Sequence, residues 1–159
     1  MSGQYAAGTS VPVERSRAEI ERTLARFGAD EFAYGYDKSR AVVQFTAQDR
    51  RVRFVLTMPE KTLRRFTHTP TGKARTREQA LTQWEQGCRE AWRALAEVIK
   101  AKLVAVDTGI VGFEEEFAAH IVLPDGSSVG DWLLPQIAHA YELHEMPPML
   151  ALDAPRAEP

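Results

Sequence analysis

Cations are the residues of this chain with the clearest chemical potential. Lys61, Arg64, Arg65, Lys73, Arg75 and Arg77 stand within seventeen residues that contain no Asp or Glu. Such a run creates a local positive field that suits a polyanion. Phe66 lies inside it. Arg51 and Arg53 are two residues apart, the spacing that puts both on one face of a strand. Tyr34 and Tyr36 have the same spacing and join that face if their strand pairs alongside. Single-stranded nucleic acid is commonly held by a cationic groove that follows phosphates and by aromatic rings that stack on bases, each stack contributing ~1–3 kcal/mol. The expected nucleic-acid-binding set is therefore Arg51, Arg53, Lys61, Arg64, Arg65, Phe66, Lys73, Arg75, Arg77, Tyr34 and Tyr36. The plainer alternative is that Arg51 and Arg53 solvate an open sheet face while the rest is a soluble loop. No zinc-finger, helix-turn-helix or RNA-binding signature decides between them.

Other chemistries find fewer supports. Glu116 and His120 are four apart on an expected helix, and His139, Glu142 or His144 could approach them. Metal sites do use facing-helix ligands, but neither an HExxH nor an ExxH pattern occurs. A metal-dependent nuclease rests on these residues alone. The single cysteine, Cys88, excludes an internal disulfide and any CxxC zinc site. It lies between Trp84 and Trp92 on an apolar stripe, where free cysteine behaves as a small hydrophobe. There is no G-x-S-x-G elbow, Ser127 and Ser128 read as turn and cap residues, and Thr71-Gly72-Lys73 is too short for a phosphate loop. His68 has no partner base. The expectation is a protein without catalytic residues, metal or cofactor.

Charge is uneven along the chain. Residues 1–58 hold nine Arg or Lys against seven Asp or Glu, residues 59–105 ten against five, and residues 106–159 one against ten. The formal net charge of −2 conceals this asymmetry. Either a polyanion meets the basic part, or the acidic C-terminal part folds back and neutralises it.

At 159 residues the chain is the size of one domain, and its composition is that of a globular protein. No apolar run approaches the ~20 residues that span a bilayer. The first ten residues, MSGQYAAGTS, have neither a positive nor an apolar segment, so no secretory signal is expected.

The elements that must position the cations are legible. Residues 1–11 are small and polar and are expected to be disordered. Pro12 suits the first turn of a helix reaching Phe27, with Gly28 as its stop. Three β-rich stretches follow: 32–36, 41–47 and 51–58. If paired residues of the second and third sum to 97, Phe45 meets Val52, Val43 meets Phe54 and Ala41 meets Leu56. Gln44 then meets Arg53, and Thr46 meets Arg51, on the other face. A one-residue slip would scramble that separation. Gln48-Asp49 lacks the glycine usual in two-residue turns, which leaves a four-residue loop open.

Pro59 ends the third strand, and residues 60–76 read as a flexible basic loop, longer than an ordinary connection. Thr76 and Gln79 form a capping box for a long helix whose apolar residues, from Leu81 to Val106, recur every three or four positions until Gly109. Trp84 and Trp92 share its face as core or subunit interface, so the long helix is also a candidate homo-oligomer contact. A short helix, 113–120, carries Glu114, Glu115 and Glu116 in its first turn. Ser128 caps a last helix to His144, with Trp132, Leu133, Ile137 and Tyr141 on one face and Pro135 inside it. Residues 151–159 read as a tail. The fold expected is a single α+β domain over 12–150: an N-terminal helix, a three-stranded antiparallel sheet, a long helix packed on it and an acidic helical C-terminal part.

VERSRAEIERTLARFGAD (13–30), AWRALAEVIKAKL (91–103), FEEEFAAHIVLPDG (113–126) and the later MPP (146–148) resemble a family of small uncharacterised proteins encoded by tailed phages and prophages. That resemblance implies a phage or prophage origin and work in the bacterial host cytoplasm. It assigns no functional residue. At fold level a β-β-β-α core with a cationic loop is also similar to single-strand annealing proteins. Together these features lead to a non-catalytic phage accessory protein that binds single-stranded nucleic acid in replication or recombination. The alternative is an anti-defence or host-takeover inhibitor that binds a bacterial protein through its acidic C-terminal region.

Overall fold

Alternation of apolar and polar residues through 40–57 builds the hairpin it predicts. In the computed structural model, which describes residues 10–37 and 39–144, β2 (Arg40–Ala47) and β3 (Arg50–Thr57) pair antiparallel. Ala41 faces Leu56, Val43 faces Phe54 and Phe45 faces Val52, the register expected. Burial of that face holds it, because a slip would carry every apolar side chain into water. The loop is two residues: Ala47 pairs with Arg50, and Gln48 and Asp49 have φ of 48° and 59°. A tight hairpin turn demands positive φ at both central positions. Asp accepts that geometry; Gln does so at a cost of about 1 kcal/mol.

β1 (Glu31–Tyr36) lies on the other side of β2, so the strand order is β1-β2-β3. Phe32 pairs with Phe45, Tyr34 with Val43 and Tyr36 with Ala41. Cross-strand partners point to the same face. Tyr34 and Tyr36 therefore belong to the apolar face and not to the face of Arg51 and Arg53, which corrects the expectation. The need to seat Phe32 against the core fixes this parity.

α1 (Ser10–Phe27) and α3 (Arg77–Asp107) cover the apolar face. α1 begins two residues ahead of Pro12, which falls in its first turn, and it ends at Gly28 with φ 91° and Ala29 N donating to Leu24 O. Residues 1–9, where disorder is expected, lie outside the described residues. α3 starts on the Thr76–Gln79 capping box and stops at Gly109, φ 74°, with Ile110 N donating to Ala105 O. Ile20 and Leu24 of α1 and Trp92, Leu95, Ile99 and Leu103 of α3 close over Val43, Phe45, Val52 and Phe54. The chain is an α+β protein with the long helix on the sheet, as its pattern requires.

The C-terminal part consists of α4 (Phe113–Phe117), a 3-10 turn (Ala118–His120) and α5 (Val129–Leu143). Phe117 meets Phe45 and Phe54 edge-on, with ring centroids 5.9 and 6.2 Å away, so α4 completes the core. Two of its three acids meet cations of the same chain: Glu114 pairs with Arg50 at 2.7 Å and Glu116 with Lys102 at 2.9 Å. Ile121 then bridges to Val52, and Val122 N donates to Arg51 O, which lays this segment along the outer edge of β3. α5 opens on a Ser128–Asp131 capping box and carries Pro135 in its interior. The expected tail, 151–159, lies outside the described residues. Among those described, no helix is long and apolar enough to cross a membrane.

Candidate nucleic-acid interface

Residues 60–76, expected to be a flexible loop, are folded. α2 (Arg64–Thr67) occupies the middle; His68 bridges to Ala74, Thr69 N donates to Lys73 O, and Arg75 N donates to Thr67 O. Gly72, φ 87°, makes the reversal possible. Two anchors explain the order. The Phe66 ring is buried with Trp84 and Cys88 of α3 and lies flush on Gly87, where an added Cβ would come within 2.7 Å of its Cζ. The Arg75 guanidinium donates from Nη1 to the carbonyls of Arg65 (2.8 Å), Phe66 (3.3 Å) and His68 (2.6 Å), closing the end of α2. Trp84 Nε1 donates to Pro59 O at 2.7 Å and fixes the entry of the chain.

These contacts redistribute the roles read from sequence. Phe66 is core, so it cannot stack on a base. Arg75 is occupied by backbone carbonyls, whose unpaired oxygens would otherwise be costly. Arg64, Arg65, Lys73 and Arg77 remain exposed on the pinned backbone. The Arg64 guanidinium lies 3.8 Å from where a Cβ on Gly72 would be, so it reaches the turn that contains Gly72. The Arg65 guanidinium sits 4.6 Å from the Phe66 ring centroid, and Lys61 Nζ 4.4 Å from that of Trp84. Ion pairs among the described residues join Arg40 to Asp37, Arg50 to Glu114 and Lys102 to Glu116. None engages Arg64, Arg65, Lys73 or Arg77.

Arg51 and Arg53 stand elsewhere. They occupy the sheet face opposite α1 and α3, whereas the contacts of α2 run to α3. Arg53 Nη2 donates to Gly126 O at 2.9 Å, tying β3 to the turn before α5, and its charge also reaches Asp131. Arg51 is exposed. On the helix side of the sheet, the Arg17 guanidinium covers the Tyr34 ring at 3.2 Å, and Tyr36 is largely exposed. The single positive surface expected from sequence is thus two: a compact cationic excursion, and Arg51 on an open sheet face.

No family model, curated protein or solved structure matches this chain.

The remaining candidates serve packing. Glu116 Oε1 accepts from Lys102 Nζ, and the His120 ring stacks on Phe54 with centroids 4.2 Å apart. Burial, aided by Lys102, holds the His120 pKa below its ordinary value, while a hydrogen bond with the Arg53 backbone pulls the other way. Among the described residues, no group of three His, Cys, Asp or Glu is placed to hold a metal. Burial pushes the Cys88 thiol up to about 11, so it is protonated at neutral pH. An open cleft of about 390 Å³ beside the excursion is lined by Thr69, Arg75, Glu78, Gln79, Thr82 and Gln83, a hydrogen-bonding shelf without a nucleophile–base pair. Sequence reasoning also passed over the exposure of α5. Leu134 and Leu143, outside its expected stripe, were the signal, since they spread apolar surface around most of the helix.

Proposed function

We propose that this is a non-catalytic phage or prophage accessory protein of the bacterial cytoplasm that grips nucleic acid by its phosphates. The contacts are Arg64, Arg65, Lys73 and Arg77, with Lys61 at the border. One observation carries the reading: Arg64, Arg65, Lys73 and Arg77 are all exposed on a pinned backbone, and no ion pair among the described residues joins any of them to a carboxylate. Like charges so placed repel, and a chain of phosphates relieves the repulsion while releasing counterions. Tyr34, Tyr36 and Phe66 do not face this cluster, so binding comes from backbone charge with little base preference. A flexible single strand follows such a compact patch more readily than a stiff duplex, which suits work in replication or recombination.

Fluorescence anisotropy with single- and double-stranded probes over a range of salt tests this. Four phosphate contacts give a log–log salt slope of about −3 on a single strand. Replacing Arg64, Arg65, Lys73 and Arg77 together by Gln should weaken binding at least tenfold, similarly for unrelated sequences, and flatten the slope. A quadruple variant that binds as wild type, with the same slope, refutes the assignment. The rival reading, an inhibitor acting through acidic charge, draws less support because Glu114 and Glu116 are each engaged by cations of the same chain.

A further inference from the structure

Where the chain leaves β3 and enters the cationic excursion, it forms a second cleft of about 350 Å³. Its lining includes three largely apolar side chains, Met58, Pro59 and Trp84, and three polar ones, Glu60, Lys61 and Thr62. That size is at the lower end of small-molecule sites, ~300–1,000 Å³. Its aromatic wall is fixed. Trp84 Nε1 donates to Pro59 O at 2.7 Å, and the ring packs with Phe66 and Cys88, which leaves Trp84 9% exposed. Lys61 Nζ stands over the indole, 4.4 Å from its centroid, on a side chain that is itself exposed.

We propose that this cleft receives one unstacked base of the strand whose phosphates Arg64, Arg65, Lys73 and Arg77 grip. The inference rests on the nucleic-acid reading and adds a stacking subsite to it. A cation over an indole marks a π-face that a base can also use. On binding, Lys61 turns from Trp84 to a phosphate, and the base takes its place against the ring. A flexible lysine stem allows that exchange, and a wall already fixed loses no freedom when the base arrives. Arg64 follows Lys61 by three residues, so at most about 11 Å of chain separates the cleft from the first cation of α2. A nucleotide joins a flat ring to an anion on one short frame, which is the combination this neighbourhood offers. Glu60 repels phosphate, so the ring enters the cleft while the charge stays with the cations. Every base has a π-face, and the Thr62 hydroxyl can donate or accept, so the subsite admits any base. A duplex keeps its bases stacked and paired inside, and the cleft therefore favours a single strand.

The test uses wild-type protein and two single-stranded DNA probes of equal length, one of mixed sequence and one abasic. Both present the same sugar-phosphate backbone. The intact strand should bind at least about fivefold tighter, the lower end for one stacked base, with the same salt slope. It should also quench tryptophan emission, which the abasic strand leaves unchanged. Trp84→Phe should abolish the quenching and so separate Trp84 from Trp92 and Trp132. Thr62→Leu fills the cleft from an exposed position and should bring the intact strand to the affinity of the abasic one. Equal affinity of the two probes for wild type overturns the stacking subsite and leaves the phosphate grip standing. So does quenching that survives Trp84→Phe, or a Thr62→Leu protein that still prefers the intact strand. Failure of both probes to bind wild type overturns the nucleic-acid reading and this inference with it.

Discussion

Residues 60–77 and α5 place their side chains in opposite ways. The excursion is polar and strongly cationic, yet its backbone is pinned at Phe66, Arg75 and Trp84. α5 is mostly apolar, yet its largest side chains stand in water. Mean polarity therefore does not decide which segment is held. A few anchors with shaped receptors do: Phe66 has Gly87, and Arg75 has three carbonyls, whereas the broad face of α5 has no receptor among the described residues of its own chain. The excursion can aim its cations because its frame is fixed from behind. α5 is offered outward.

The largest effect should come from removing the aromatic anchor. Phe66→Ala empties a buried site and should cost about 3 kcal/mol, read by chemical denaturation, with amide exchange over 60–76 accelerated far more than in the sheet. A loss under 1 kcal/mol would mean that the excursion is not pinned and the contrast with α5 fails. Next comes Arg75→Met, which keeps length but strands the carbonyls of Arg65, Phe66 and His68, at about 1–2 kcal/mol. Arg64→Gln should leave the denaturation midpoint in place and weaken only nucleic-acid binding. This pair separates the arginine that builds the site from one that uses it.

A smaller effect belongs to the seat of α5. The half-buried His120 ring has its pKa held below its ordinary value, so the unfolded chain binds a proton more readily than the folded one. The stability contributed by the neutral ring is thus present above pH 6.5 and is lost as pH falls through the lowered folded value. Amide exchange around the 3-10 turn and the start of α5 should quicken in that window while α2 stays protected, and His120→Gln should remove the pH dependence. Equal loosening of both regions would blur the contrast.

Much of this frame is legible in the residues. The β2–β3 register follows from charged and apolar pairs that segregate only when partners sum to 97, and the Thr76–Gln79 capping box and the Ser128 cap are local enough to read directly. β1 is harder, because Phe32, Tyr34 and Tyr36 alternate with Ala33 and Gly35, which carry no charge to mark the solvent side. The pairing of Phe32 with Phe45 settles it. The cations were visible as a run; the structural roles of Phe66 and Arg75 were not, since they depend on Gly87 and on carbonyls brought near by folding. The apolar side of α5 could be traced, but its exposure is a property of the whole chain.

The strip formed by Ile121 and Val122 has a consequence for how molecules can join. By meeting the flank of β3 at Arg51 and Val52, it leaves β1 as the margin without a strand partner among the described residues. A ribbon that grows strand by strand needs two bare margins per molecule. Here the strip interrupts one margin at Arg51 and Val52, which works against pairing that would run on from molecule to molecule.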